Sequence, residues 1–206
     1  IRLMLRQLLL TIESRAKLLT LCAMCTGSLT AHADWQLINA DSQLSFVSIK
    51  ATHIAERHSF SRLSGRIEES GRAHLTVDLG SVNTGIEIRD QRMRDLLFNI
   101  VEIPNAKFTT DLNVNAANAL RAGEQTNLLV QGKLSVHKLS VDIETELSVV
   151  RLAENRVIVS TKTPMLLNAS SLGLAEGVEQ LRAIANLPDI SLAVPVTFQL
   201  LFEKTP

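Results

Sequence analysis

The sequence predicts a mainly β chain that closes into an antiparallel barrel of about eight strands, with two short helices beside it. Three observations lead there. Apolar residues recur at every second position over long stretches, most clearly at Ile190, Leu192, Val194, Val196, Phe198, Leu200 and Phe202, with Ser191, Thr197, Gln199 and Glu203 on the other parity. Successive side chains of a strand point to opposite faces, so this period of two makes one apolar and one mostly wetted face. Similar stretches follow one another with no internal repeat, low-complexity tract or linker between them. Only two segments carry helical spacing instead. Many half-apolar strands need one shared apolar space, and a sheet closed on itself supplies it.

The first segment is not expected to join that fold. Arg2, Arg6, Arg15 and Lys17 precede an uncharged run from Leu18 to about Met24, and Ala31-His32-Ala33 follows. This is the positive, apolar and small-residue order of a secretory signal peptide, with cleavage expected after Ala33. The apolar run is too short for a bilayer, which needs about 20 apolar residues. Residues 1–33 are therefore assigned as signal peptide and residues 34–206 as one domain. Cys22 and Cys25 both lie in the signal. Leu21 and Met24 precede them where a lipid-anchor motif needs a small residue, so neither is read as an anchor. The mature part then has no thiol for a disulfide, a nucleophile or a thiolate metal site.

The strands are read in order. Leu44 and Phe46 alternate with serines, and Val47 and Ile49 switch parity as a bulge would cause. Phe60–Ile67 is a strand carrying Gly65, and Ala73–Leu79 alternates cleanly. Ala106, Phe108, Thr110 and Leu112 make another. Leu128, Val130, Leu134 and Val136 form one apolar face, with Gly132 on their parity, and Val141, Ile143, Leu147 and Val149 form the next. His137-Lys138-Leu139-Ser140 between these two is short enough for a hairpin. Val157–Thr163 and the terminal stretch complete the set. Pro195 has no amide donor, which places it at an edge or bulge. Met93, Leu96, Leu97 and Ile100 predict an amphipathic helix over Arg89–Asn99, ended before Pro104. Val178, Leu181 and Ile184 predict a second over Glu176–Ala185.

Composition excludes several function classes. Removing the four basic residues and one acid of the signal leaves 17 basic and 20 acidic residues, a net charge of −3. No basic patch or run stands out, so no nucleic-acid partner is expected. No segment of the mature part is long and apolar enough for a membrane span. Gly-x-Ser-x-Gly, His-Glu-x-x-His and phosphate-loop spacings are all missing. No enzyme, cofactor or metal is expected. Glu56 lies between His53 and His58, but their spacing of five brings no third ligand with it.

The ordered residues resemble the YceI-like family, exported bacterial proteins with an extended lipocalin-like barrel associated with polyisoprenoid or other long-chain lipids. The resemblance rests on Ser45-Phe46 with His53 downstream, Leu63-Ser64-Gly65, and Leu79-Gly80-Ser81-Val82-Asn83-Thr84. It continues through Arg89-Asp90, Leu97-Phe98, Ile103-Pro104-Asn105-Ala106-Lys107-Phe108 and Gly132-Lys133-Leu134-Ser135-Val136. The chain departs from the family pattern at Gln91-Arg92-Met93-Arg94-Asp95, at Ile103 before Pro104 and at the His137-Lys138 turn, and it has no Tyr. The resemblance implies a periplasmic carrier of one long-chain isoprenoid or fatty-type lipid. A homodimer is an expected state, since dimerisation is common in that family.

Phe46, Phe60, Leu75, Val77, Phe108, Val130, Leu134, Val196, Phe198 and Leu200 are the candidate lining of an apolar cavity. Each buried methylene contributes about 0.8 kcal/mol, so a matching slot holds a long chain strongly. His53 and Arg89 are candidate contacts to a head group, Arg because its fork suits oxyanions. Asp90 suits a helix start, favoured by the dipole. His74 and His137 read as solvated residues on polar faces. The rival to a carrier is a filled barrel acting as a structural or interaction module. A lipid-modifying enzyme using His53 with Asp90 is the third reading.

Overall fold

The structure, a computed structural model, describes residues 34–205; the expected signal segment lies outside them. The described residues form strands β1 (Trp35–Leu37), β2 (Gln43–Lys50), β3 (Ile54–Phe60), β4 (Leu63–Ile67), β5 (Arg72–Asp78) and β6 (Val82–Asn83). After these come β7 (Asn105–Asp111), β8 (Gln125–Val136), β9 (Leu139–Ala153), β10 (Arg156–Thr161), β11 (Met165–Asn168) and β12 (Ala193–Lys204). Eight of them close an antiparallel ring in the order β1-β4-β5-β7-β8-β9-β10-β12, with β12 pairing back onto β1. The expected barrel is therefore present.

Closure depends on β12 serving several neighbours. Its C-terminal part pairs β10 on one edge and β1 on the other, while its N-terminal part pairs β11 and β2. From β2 the sheet runs on to β3 and the two-residue β6. Pro195 faces Leu166 of β11, and pairing with β2 begins only at Val196, so the missing donor falls where the other edge is free of β2. The hairpin of β8 and β9 turns over two residues, His137 and Lys138, between Val136 and Leu139. His137 carries the left-handed conformation that this turn demands, at φ 56°.

Among the described residues three α-helices stand beside the barrel: α1 (Glu87–Arg92), α2 (Asn115–Asn118) and α3 (Ala175–Ile184). At Met93 α1 widens into a π-helical stretch that runs to Phe98 and ends on Asn99 in the left-handed region, φ 50°. Gly177 lets α3 lie against that stretch. A Cβ at this position would sit 2.7 Å from both the carbonyl oxygen of Leu96 and Cα of Leu97.

Several expectations need correction. Phe60–Ile67 is two strands, because the amides of Ser61 and Arg62 turn aside to the carbonyl and hydroxyl of Ser81. The β2–β3 register runs unbroken from Leu44↔Phe60 to Lys50↔Ile54, so β2 has no bulge and Val47 and Ile49 simply face outward, half-buried. The irregularity lies instead between Arg156 and Val157. The terminal strand starts at Ala193, and Ile190 makes only an isolated bridge to Lys50. His137 is half-buried with its Nε2 unpaired, so it is not a solvated residue.

Candidate ligand-binding site

The alternating faces converge on a cavity of about 260 Å³ inside the barrel. A single water needs roughly 10–15 Å³ by the same measure. Its wall is carbon almost throughout, lined toward one end by Ile67, Ala73 and Phe202 and toward the other by Leu97, Leu174 and Val178. Strand registry accounts for that uniformity. Leu75 of β5 faces Phe108 of β7, Phe108 faces Leu134 of β8, and Leu134 faces Val141 of β9, all on the inner parity. Gly132 removes one side chain from this layer, and the Phe108 ring lies over the gap. A hydrogen-bonding ligand finds few partners on such a wall, whereas an aliphatic chain loses no solvation there.

Arg151 occupies the inner face at the far end of β9 and is only 6 % exposed. Its Nη1 donates to the carbonyl of Glu154 at 2.9 Å and its Nη2 to that of Ala117 in α2 at 2.8 Å. The guanidinium carbon lies 5.1 Å from the ring centroid of Trp35 on β1. A buried cation needs such partners, and here carbonyls and an aromatic face supply them. Together Arg151, Trp35 and α2 form a polar floor beneath the apolar wall.

The opposite, helix-bearing end carries a second polar group of residues. Inner-face positions of the β2–β3 hairpin pass from Phe60 and Phe46 to His58 and Ser48, then to Glu56 and Lys50 at the tip. Phe46 stacks on Phe60 at 5.3 Å and lies 5.2 Å from the His58 ring, and Phe98 of the π-helical stretch packs tilted beyond Phe60 at 5.9 Å. His58 is 4 % exposed and its Nε2 meets the Ser48 hydroxyl at 2.8 Å. Burial, and then the charge of Arg89, hold its imidazole below its ordinary pKa. Glu56 is held below the ordinary carboxylate range, chiefly by its hydrogen bond from Lys50 and then by the charge of Arg89. Arg89 donates to Glu56 and to the carbonyl of Thr84, both at 2.8 Å. Asp90 is buried and caps the turn before α1 by accepting from the Thr84 amide at 2.8 Å.

All ten residues named as candidate lining stand on the cavity wall. The two head-group candidates separate. Arg89 joins the polar group just described, whereas His53 is exposed on the β2–β3 turn. That turn is held by Asp189, which accepts from the Thr52 amide at 3.0 Å and its hydroxyl at 3.2 Å. Sequence reading passed over His58 and Ser48 as polar residues on the inner parity of the β2–β3 hairpin, next to the cavity wall. The available signal was parity: His58 shares the parity of Phe60, and Ser48 that of Phe46. Among the described residues no cluster of three or more His, Asp and Glu side chains could hold a metal ion. No helix among them is long and apolar enough to cross a membrane.

Comparison with known proteins agrees with this geometry. The YceI-like domain profile matches residues 35–202. A polyisoprenoid binding domain from Saccharophagus degradans, implicated in plant cell wall breakdown, is 40% identical. The match covers 83% of this chain and 98% of that one, with a TM-score of 0.81. Burkholderia cenocepacia BcnA shares the fold at 18% identity, covering 80% of this chain and 98% of its own, with a TM-score of 0.60. No curated protein sequence matches the chain. With the matched region spanning the whole ring from β1 to Phe202 of β12, the chain belongs to the YceI-like family.

Proposed function

We propose that this protein is a lipid carrier that holds one long-chain isoprenoid or related amphiphile within its barrel. The single observation that carries the reading is the apolar cavity of about 260 Å³ enclosed by the strands. That volume lies near the lower end of small-molecule sites, about 300–1,000 Å³, and suits a slender chain better than a bulky ring system. Each methylene placed there contributes about 0.8 kcal/mol. The similar domain from Saccharophagus degradans is described as polyisoprenoid binding, which supports the same ligand class here. A cavity of this size counts against a filled barrel serving only as a structural module.

The carrier is read as a binding protein rather than an enzyme, exported to the periplasm by the N-terminal segment. Support for export is the basic, apolar and Ala-His-Ala order of residues 1–33. Mass spectrometry of organic extracts from the purified protein tests the central reading. Co-purifying prenyl or fatty chains, or their uptake on addition, are expected; failure of both would remove it. Cell fractionation with N-terminal sequencing tests export, with Asp34 expected as the first residue. Size-exclusion chromatography with light scattering tests the homodimer that the family resemblance suggests.

A further inference from the structure

The inner face of the β2–β3 hairpin changes character along its length in a way the carrier reading alone does not explain. Phe46 and Phe60 line the cavity, and the next inner positions, Ser48 and His58, are polar and pair with each other. A barrel that only needed to exclude water would continue the apolar face to the rim. Two nitrogens here are buried with no hydrogen-bond partner: Nδ1 of His58 and Nε of Arg89. A buried polar atom left unpaired costs roughly 1–3 kcal/mol, so a pair beside a binding cavity points to a missing partner.

Resting on the carrier reading, we propose that Ser48, His58 and Arg89 form the head-group site of the bound amphiphile, and that it selects an uncharged head bearing a hydroxyl, carbonyl or amide over a phosphate or diphosphate. The argument for an uncharged head is one of charge and free donors. Lys50 and Arg89 are balanced by Glu56 and Asp90, so the group carries no excess positive charge. Both cations are already engaged. Lys50 Nζ lies 2.7 Å from Glu56, and Arg89 commits one terminal nitrogen to Glu56 and the other to Thr84. A phosphate requires several charge-assisted donors aimed at it, and here both terminal nitrogens of Arg89 are already turned to Glu56 and Thr84. The buried nitrogens left without any partner are Nε of Arg89, a donor, and one imidazole nitrogen that donates or accepts according to tautomer. A hydroxyl, which both accepts and donates, matches that pair. A dianion would have to lose its hydration for two single contacts.

The test holds the tail constant and varies the head. Geranylgeraniol, geranylgeranyl diphosphate and phytane each compete with a fluorescent fatty-acid probe for the full mature protein. Geranylgeraniol is expected to bind about ten-fold more tightly than either of the others, the gain of one to two buried hydrogen bonds. His58→Leu and, independently, Arg89→Met should bring geranylgeraniol to the affinity of phytane while leaving phytane unchanged. Arg89 is half-exposed, so its variant keeps the test open should His58→Leu fail to fold. Tightest binding by the diphosphate would overturn the proposal. So would equal binding of all three, or variants that weaken all three alike. Those outcomes leave the carrier reading standing. Failure of every tail to bind would overturn the carrier reading itself, and this proposal with it.

Discussion

Gly132→Ala tests whether the cavity wall is as tightly fitted at Phe108 as its geometry implies. The added Cβ would lie 2.3 Å from Phe108 Cζ, 2.7 Å from its Cε2 and 2.7 Å from the carbonyl oxygen of Thr109. Carbon atoms in contact stand about 3.5–4.0 Å apart, so the ring must withdraw by roughly 1.2 Å or more. The Thr109 carbonyl belongs to β7 and is held by the sheet, which leaves the ring to yield, and it yields into the cavity it lines. Overpacking of this kind costs about 1–3 kcal/mol, and alanine's smaller loss of chain entropy returns roughly 0.5–1 kcal/mol. The net centres on about 1 kcal/mol, or a fall in melting temperature of roughly 2–4 °C for a domain of this size. Thermal melts with and without bound lipid, together with uptake of a fluorescent polyene fatty acid, measure both effects. In the Phe108→Leu background the penalty of Gly132→Ala should shrink by about 1 kcal/mol, since the obstructing ring is gone. An unchanged melting temperature and undiminished uptake would refute the reasoning, as would the same penalty in both backgrounds.

Further perturbations separate a hollow barrel from a packed one and probe its two ends. Val130→Phe adds a ring to the cavity, so melting temperature should hold or rise by up to about 2 kcal/mol equivalent while uptake falls; a packed core would lose about 1–3 kcal/mol instead. Arg151→Ala strips donors from the Ala117 and Glu154 carbonyls and leaves Trp35 without its cation, for an expected loss of about 3 kcal/mol in chemical denaturation. The depressed pKa of His58 means that the unfolded chain takes up a proton first as pH falls below the ordinary value of about 6.5. Stability should therefore decline as pH falls from that value to the folded one and then level off, and His58→Asn should remove this step from melts at pH 7.5 and 5. The contribution of Glu56, whose pKa is also lowered, is lost only in more acid solution, as pH falls through its folded value, so the two are separable.

The barrel was legible wherever one face of a strand is apolar along its whole length. Leu128–Val136 and the stretch ending at Phe202 meet that condition, Val141–Val149 breaks it only at Thr145, and each is a ring strand. β3 does not, because its inner positions run from Ile54 through Glu56 and His58 to Phe60. Period-two reading looks for grease, so a strand whose inward face turns polar at its tip passes unnoticed. The polar end of the site was missed for the same reason. β1 is too short to show a period at all, and its place in the ring comes from long-range pairing with β4 and β12. Val47 and Ile49 misled in the opposite direction, as apolar residues on an outer face. The wall was readable residue by residue because parity alone assigns it. The partners of Arg89 and Arg151 were not, because Glu56, Thr84, Ala117 and Glu154 reach them only through the fold.

The floor built on Arg151 gives the barrel a sense of direction. With one end closed by a guanidinium whose two terminal nitrogens are held by backbone carbonyls, the proposed amphiphile would enter from the side of α1 and α3, hydrocarbon foremost. On the proposed reading its polar terminus would rest beside α1 and the β2–β3 hairpin, the last part to load and the first to leave. Exchange of the proposed ligand would then pass through that same doorway, so changes there should set the exchange rate, while changes at the floor should alter only durability.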